Sequence, residues 1–178
     1  QMILTSLNRA ANLVQSFKSV DVDASSNAPS KFLLKDILKL TFDKYRDKYK
    51  GIKLELQCDN KLTITSYLDV FSRIIESMFH NSYQHGFEDQ GNGLIKIKVD
   101  VDGSHLFMIY SDNGKGMTGE AVKNIFEPFY TTKRSSGGTG LGMHIVYNLV
   151  TQKLKGDISC ESNEGEGTRI IIKVPNLN

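Results

Sequence analysis

Apolar side chains recur at helical or strand spacing along most of the chain, and these spacings predict its elements. Near the N-terminus, steps of three and four residues predict a helix with a coiled-coil-like seam. The seam consists of Ile3, Leu7, Ala10, Val14 and Phe17. Because two heptads form only a marginal isolated helix, we expect residues 1–20 to end a longer dimerising helix. An amphipathic helix packed on its own domain is the alternative.

A polar segment without periodicity, residues 21–30, follows and contains Pro29, so it is predicted to be a linker. The main domain is expected to span residues 31–178. Its first helix is predicted by apolar residues at helical spacing before Gly51, a plausible C-terminal stop. These residues are Leu34, Ile37, Leu38, Phe42, Tyr45 and Tyr49.

Further along, alternating apolar residues predict strands, and spacings of three and four predict helices. In chain order we expect a strand at 52–58, a helix at 68–85, strands at 95–101 and 106–110, a helix at 141–154, and strands at 158–161 and 168–174. The helix at 68–85 should bury one apolar face, which consists of Phe71, Ile74, Ile75, Met78 and Phe79. The strands at 95–101 and 106–110 should form a hairpin through Asp102 and Gly103. Helices and strands are interspersed without strict alternation. We therefore predict an α+β fold, a two-layer α/β sandwich with helices on one face of a mixed β-sheet.

Composition narrows the class of protein. Of 178 residues, 39% are hydrophobic and 24% charged, which is ordinary globular usage. The net charge of +2 is too small and too evenly spread for a nucleic-acid footprint. No apolar run approaches the roughly 18 residues of a membrane span. With no signal leader visible, we expect a cytoplasmic piece of a longer protein.

The two cysteines, Cys58 and Cys160, lack metal-ligand spacing and are predicted to be buried thiols.

A polar stripe on the helix predicted at 68–85 is the first candidate for chemistry. Ser77, Asn81 and His85 recur every four residues and should line one side of the helix. The Asn81 amide could ligate Mg²⁺ and the His85 imidazole could meet a phosphate. A simply solvated helix edge is the alternative.

Two glycine-containing segments are the other candidates. Asp112 ends a predicted strand and precedes Gly114 and Gly116, so its carboxylate could accept an adenine amino proton where backbone approaches closely. A common hairpin turn would have the same sequence. Residues 137–142 lead into a predicted helix whose free N–H groups could seat phosphates. They match neither the P-loop nor the dinucleotide fingerprint, and a flexible surface turn is the alternative.

Taken together, the segments HNSYQHG (80–86), DNGKG (112–116), FEPF (126–129) and GTGLG (138–142) closely resemble the N, G1, F and G2 boxes of the GHKL ATP-binding superfamily. They are most similar to the catalytic domain of bacterial sensor histidine kinases. The resemblance covers about residues 31–178 and implies the Bergerat ATP-binding fold. The segment LNRAANLVQSFKSV (7–20) resembles the end of the second helix of a kinase dimerisation domain.

The resemblance assigns roles to single residues at the base and metal sites. It implies that Asn81 ligates Mg²⁺ and that His85 lies near the phosphates. It implies that Asp112 binds the adenine amino group, while Gly114 and Gly116 let the base approach the backbone.

It also assigns roles around the lid over the nucleotide. Phe129 would anchor one end of the ATP lid, and Lys133 is a candidate phosphate contact. Thr168 would back the adenine pocket. Backbone contacts to the phosphates would come from Gly138, Thr139, Gly140, Leu141 and Gly142.

The function implied is that of an ATP-dependent protein-histidine kinase. Mg²⁺-ATP would present its γ-phosphate to a histidine on an upstream helix absent from this chain, for later transfer to a response-regulator aspartate. The implied cofactors are ATP and Mg²⁺. The implied partners are ATP and ADP, the dimerisation and phosphoacceptor domain of the same protein, a second copy in a full-length homodimer, and the response regulator. Anchoring of the full-length protein in the bacterial inner membrane is left open.

Departures from the family pattern keep two alternatives open. Ser77 stands where ATP-hydrolysing members carry a glutamate, and Glu76 is one residue off that register. Gln84 occupies a position that is often basic in the family. His80, His85, His105 and His144 all lack a phosphoacceptor setting, so this chain is expected to bind ATP without phosphorylating itself. The alternatives are a GHKL ATPase or serine kinase, and a non-catalytic pseudokinase interaction module.

Overall fold

The computed structural model describes residues 28–46, 51–87, 92–133 and 138–175. The strands are β1 (Ser30–Leu33), β2 (Lys53–Gln57), β3 (Thr63–Ser66), β4 (Leu94–Asp102), β5 (His105–Asp112), β6 (Asp157–Ser162) and β7 (Thr168–Pro175). The α-helices are α1 (Leu34–Arg46), α2 (Leu68–Asn81), α3 (Gly119–Asn124) and α4 (Gly142–Asn148). The helix predicted for residues 1–20 and most of the predicted linker lie outside the described residues, so both stay predictions.

A five-stranded mixed sheet forms one layer, in the order β2-β4-β5-β7-β6. The β2 and β4 strands pair in parallel, and the other neighbours pair antiparallel. The predicted β4–β5 hairpin is confirmed, with Asp102 opposite His105 across the turn. In the centre of the sheet, Asp112 at the end of β5 lies opposite Thr168 at the start of β7.

Helices cover one face of this sheet, which confirms the predicted α+β sandwich. The apolar face predicted for α2 is buried in full. It consists of Phe71, Ile74, Ile75, Met78 and Phe79. Each such side chain contributes about 1.5–3 kcal/mol through burial. The α1 helix packs against α2, with the Phe42 and Phe79 ring centroids 5.6 Å apart.

Three features of the fold were not predicted, and the short helix α3 is the first. A separate two-stranded sheet joins β1 to β3 antiparallel, with Ser30 opposite Ser66. The helix predicted at 68–85 also changes its winding. Beyond Asn81 it continues as a wider π-type turn at Ser82–Gly86, closed by a 2.9 Å hydrogen bond from the Phe87 N–H to the Ser82 carbonyl. Such π-type turns are often found at functional sites.

The helix predicted at 141–154 behaves in the same way. Its regular part is α4, and a π-type turn at Leu149–Lys153 follows. Within the described ranges, no helix combines the length and apolar character needed to cross a membrane.

Candidate functional site

A cavity of about 560 Å³ opens between the end of α2, the loop after β5 and the two segments 130–132 and 138–143. Its size lies within the roughly 300–1,000 Å³ typical of small-molecule sites. Nine of the residues predicted to bind a nucleotide line it together. They are Asn81, His85, Asp112, Gly116, Gly138, Thr139, Gly140, Gly142 and Thr168. Segments up to 87 residues apart in sequence therefore meet at one site.

Asp112 supplies a buried carboxylate to the floor of the cavity, with only 8% of the residue exposed. Its Oδ1 accepts hydrogen bonds from the Gly114 N–H at 3.0 Å and the Thr168 N–H at 3.2 Å. Its Oδ2 accepts one from the Ser82 hydroxyl at 2.5 Å. Burial raises the pKa of Asp112, and these three hydrogen bonds oppose that rise because they stabilise the charged form. The site thus presents a desolvated hydrogen-bond acceptor.

Behind this carboxylate lie two hydroxyl groups that the sequence analysis missed. The Ser82 Oγ lies 2.8 Å from the Tyr110 hydroxyl, which lies 3.3 Å from the Met78 carbonyl oxygen. Burial raises the pKa of Tyr110 well above its ordinary value. The sequence contained a signal for Tyr110, because residues two positions apart on a strand lie on the same face of the sheet, and Tyr110 precedes Asp112 by two.

Close packing explains why glycines follow Asp112. A Cβ atom on Gly114 would lie 2.6 Å from the Gly86 Cα. Gly116 has a φ of +68°, and a Cβ atom there would lie 1.8 Å from the Asn163 carbonyl oxygen. The Lys115 N–H also donates to the Gly86 carbonyl oxygen at 3.0 Å. Gly114 therefore packs the loop against the helix end without lining the cavity, whereas Gly116 lines it.

The predicted polar stripe at the end of α2 lines the cavity. Ser77, Asn81 and His85 all line the wall. The His85 Nδ1 lies 3.2 Å from the Thr132 Oγ1, which joins the helix end to the opposite wall. Glu76, one residue from Ser77, does not line the cavity, and its Oε1 instead accepts a hydrogen bond from the Lys44 Nζ at 2.8 Å.

The glycine-rich loop lines the same cavity as Asp112. The Gly138 N–H donates to the Lys133 carbonyl oxygen at 3.1 Å, and Gly140 has a φ of +68°. The N-cap residue of α4, Leu141, makes no side-chain capping hydrogen bond. Gly142, the first residue of that helix, borders the cavity, and a Cβ atom there would meet no described atom within 4 Å. A helix N-terminus in this position favours a negatively charged group.

Three other predicted residues lie beside the cavity without lining it. Leu141 is only 2% exposed and packs beneath the loop. Phe129 is 40% exposed and has a φ of +66°, which is uncommon for a residue other than glycine. Lys133 accepts the Gly138 hydrogen bond through its backbone. The roles predicted for these residues stay predictions.

His80 also lines the cavity, whereas His105, His144 and the two cysteines lie outside it. The His144 Nδ1 lies 2.9 Å from the Phe126 carbonyl oxygen, and its Nε2 lies 3.1 Å from the Asn148 Nδ2, which is a packing role within the fold. Cys58 and Cys160 are both free thiols and half-buried. Burial raises the pKa of Cys160 to about 12, so this thiol stays protonated at neutral pH.

Comparisons with known proteins show which family the chain resembles. The family described as "Histidine kinase-, DNA gyrase B-, and HSP90-like ATPase" matches residues 68–178. Sporulation kinase E of Bacillus subtilis is 38% identical over 104 residues, which are 57% of this chain. The chain spans only 14% of the length of that relative.

Two solved structures share the fold. The catalytic domain of histidine kinase ThkA has a TM-score of 0.72 at 22% identity, over 84% of this chain and 98% of that one. Full-length ShkA, solved in complex with AMPPNP, has a TM-score of 0.71 at 21% identity, over 94% of this chain and 36% of that one.

Proposed function

This chain belongs to the family of histidine kinase-, DNA gyrase B- and HSP90-like ATPases, and we propose that it is the ATP-binding catalytic domain of a two-component sensor histidine kinase. One observation carries the proposal: a buried carboxylate, Asp112, lies in the same cavity as the N-terminal end of a helix at Gly142. The first group suits an amino-bearing base and the second suits phosphates. Relatives that are named as sensor kinases support the choice within the family.

The base of ATP would lie at the Asp112 end of the cavity. Its exocyclic amino group would donate to the carboxylate, which is itself fixed by the Gly114 and Thr168 backbone N–H groups. Thr168 borders the same space from β7. The phosphates would then reach the loop at 138–142, whose backbone is kept close to residues 129–133 by glycines.

Mg²⁺ fits the residues present at the other wall. The Asn81 side chain carries an amide oxygen and borders the cavity. Mg²⁺ usually keeps several waters and takes other ligands from substrate phosphates, so it needs few protein ligands. We propose that Asn81 supplies that protein ligand and that the ion, when bound, neutralises phosphate charge. His85, on the same wall, would contact a phosphate.

The proposed reaction is phosphoryl transfer to a histidine outside this chain. An imidazole nitrogen of that histidine would form a bond to the γ-phosphorus while the bond from phosphorus to the β,γ-bridging oxygen breaks, and ADP would leave. The phosphoryl group would then pass to an aspartate of a response regulator. This domain would contribute mainly by positioning and by stabilising charge. We propose a cytoplasmic location and a homodimeric full-length protein with its dimerisation and phosphoacceptor domain.

Steady ATP hydrolysis is the competing function, and the wall of the cavity argues against it. Ser77 carries no carboxylate to activate water, and Glu76 is engaged with Lys44 outside the cavity. Phosphate release by this chain alone would favour an ATPase. A non-catalytic interaction module would be favoured if nucleotide did not bind at all.

The proposal is tested by titrating the chain with a non-hydrolysable ATP analogue, with and without Mg²⁺. We expect saturable binding that tightens with Mg²⁺ and weakens about ten- to a hundredfold in Asp112→Asn, because a charge-assisted hydrogen bond contributes about 1.5–3 kcal/mol. Asp157→Asn on exposed β6 is the matched control and should bind as the wild type does. Equal affinity of Asp112→Asn and the wild type would contradict the role of Asp112.

A further inference from the structure

Asp112 has one acceptor position left for a ligand. A carboxylate offers about four lone-pair sites, two on each oxygen. The Gly114 and Thr168 N–H groups occupy both sites on Oδ1. The Ser82 hydroxyl occupies one site on Oδ2. The free site is therefore on Oδ2, the oxygen that the Ser82 hydroxyl orients.

The direction of the hydrogen bonds behind Ser82 follows from counting protons. Ser82 has one hydroxyl proton and donates it to Asp112 at 2.5 Å. The single Tyr110 hydroxyl proton can then go to Ser82 at 2.8 Å or to the Met78 carbonyl oxygen at 3.3 Å. The Met78 carbonyl oxygen already accepts the Ser82 backbone N–H. An ionised Asp112 favours the arrangement in which both hydroxyl protons point toward its carboxylate.

A protonated Asp112 would reverse this order. The carboxyl O–H could donate to Ser82, Ser82 to Tyr110, and Tyr110 to Met78, using the same three contacts. Alternatively the O–H could point into the cavity as a donor. The Ser82 hydrogen bond lowers the pKa of Asp112 and so favours the charged carboxylate, which offers an acceptor to the edge of a purine.

We propose that Ser82 and Tyr110 are positioning residues that set base selectivity, by keeping Asp112 Oδ2 an acceptor for a 6-aminopurine against a 6-oxopurine. The inference rests on the proposed function, because it assumes that a purine nucleotide occupies the cavity. Tyr110 is 1% exposed and does not line the cavity, so it would act through Ser82 and the carboxylate. Ser82 is 2% exposed and lines the cavity together with Asp112, and it would act by orienting the carboxylate.

The effect of pH on Asp112 must be distinguished from its effect on other ionisable groups. Tyr110 and Cys160 are close enough to interact with it, and burial raises the pKa of both, so they stay neutral at ordinary pH. The ionisable side chains lining the rest of the cavity are His80, His85, Lys115, Tyr130 and Glu164. ATP and inosine triphosphate differ only in the group at purine position 6 and in the proton that the 6-oxopurine carries on N1. The ratio of their affinities therefore cancels effects on the shared phosphates and ribose.

The test measures Kd for ATP and inosine triphosphate with Mg²⁺ across about pH 5 to 8.5. The ATP preference of the wild type should fall as the pH falls through the Asp112 pKa. Ser82→Ala removes a hydrogen bond that lowers this pKa. We expect its ATP preference to drop about tenfold near neutral pH and its pH profile to move to higher pH.

Two further variants keep the test decisive. Tyr110→Phe keeps the ring packing on Phe79 and removes only the hydroxyl group next to Ser82. The ratio of ATP to inosine triphosphate affinity should shift in the same direction by a smaller factor, because the hydrogen bond from Ser82 to Asp112 remains. Ser82→Thr keeps the hydroxyl and should restore the wild-type ratio even if both affinities fall. Ser159→Ala, on exposed β6, is the matched control and should change nothing.

The possible outcomes distinguish the selectivity inference from the proposed nucleotide-binding function. A parallel loss of ATP and inosine triphosphate affinity in Ser82→Ala and Tyr110→Phe, with no change in ratio, would overturn the selectivity role and leave the nucleotide site intact. Failure of the wild type to bind either nucleotide would overturn both proposals. A lower ratio of ATP to inosine triphosphate affinity in Ser82→Ala, with a pH profile moved to higher pH, supports the inference.

Discussion

At the base end of the cavity, Asp112 accepts hydrogen bonds from three different parts of the chain, the end of α2, the loop after β5 and the start of β7. At the proposed phosphate end, the described contacts join loop segments to one another and to the helix end. They include the 3.2 Å contact of His85 with Thr132 and the 3.1 Å hydrogen bond from Gly138 to Lys133. The comparison indicates that the proposed contact with the base is built into strands, while the proposed phosphate contacts are carried by loops.

The first prediction tests how rigid the base end is. Gly116→Ala should lower the free energy of unfolding by about 3 kcal/mol or more, because its φ is positive and its Cβ would meet the Asn163 backbone. Chemical denaturation measures the change. Gly119→Ala is the matched control, since a Cβ there meets nothing within 4 Å, and it should lose less than about 1 kcal/mol. Similar stability of the two variants would mean that the base end is not tightly packed.

The second prediction separates the two ends by ligand. His85→Ala should weaken ATP binding about five- to thirtyfold, through loss of a phosphate contact of about 1–2 kcal/mol. Binding of adenosine, which lacks phosphates, should stay unchanged in a competition assay. His105→Ala, at the start of β5 and outside the cavity, is the control. An equal loss for ATP and adenosine would place His85 at the base end instead.

The third and smallest prediction concerns the cost of keeping Asp112 charged. Burial raises its folded-state pKa above the unfolded value. Ionised Asp112 therefore lowers stability at pH values above the folded pKa, and this penalty shrinks as the pH falls below the folded pKa and is gone below the unfolded pKa. We expect Asp112→Asn to gain stability relative to the wild type near neutral pH, by about 1 kcal/mol.

That gain should shrink on acidification, as measured by urea unfolding at a series of pH values. Asp157→Asn should show no such trend, because Asp157 is exposed. A difference between Asp112→Asn and the wild type that stays constant with pH would show that the charge of Asp112 carries no such penalty.

Much of the fold could be predicted from local patterns. The apolar face of α2 and the β4–β5 hairpin follow from spacings within a few residues, and both are confirmed. The β1–β3 pair was missed because each strand has four residues and the partners are far apart in sequence. Short strands give too little alternation to be detected.

The candidate site was predictable where motifs supplied the residues, and less so where contacts are non-local. Asn81 and Asp112 were assigned from the family resemblance, and both line the cavity. The Ser82–Tyr110 pair joins residues 28 positions apart, and no local pattern encodes that contact. The change in winding after Asn81 was missed for a related reason, since apolar spacing does not distinguish an α-helical turn from a π-type turn.

The central place of β5 in the sheet has a consequence for hydrogen exchange. Its backbone amides and carbonyls pair with β4 on one side and β7 on the other over the whole strand. Amides in such a strand exchange with solvent only through the largest openings of the domain, whereas those of loops exchange through small local ones. The carboxylate proposed to select the base therefore sits on a segment that opens last. Recognition of the base would persist through local openings at the phosphate end.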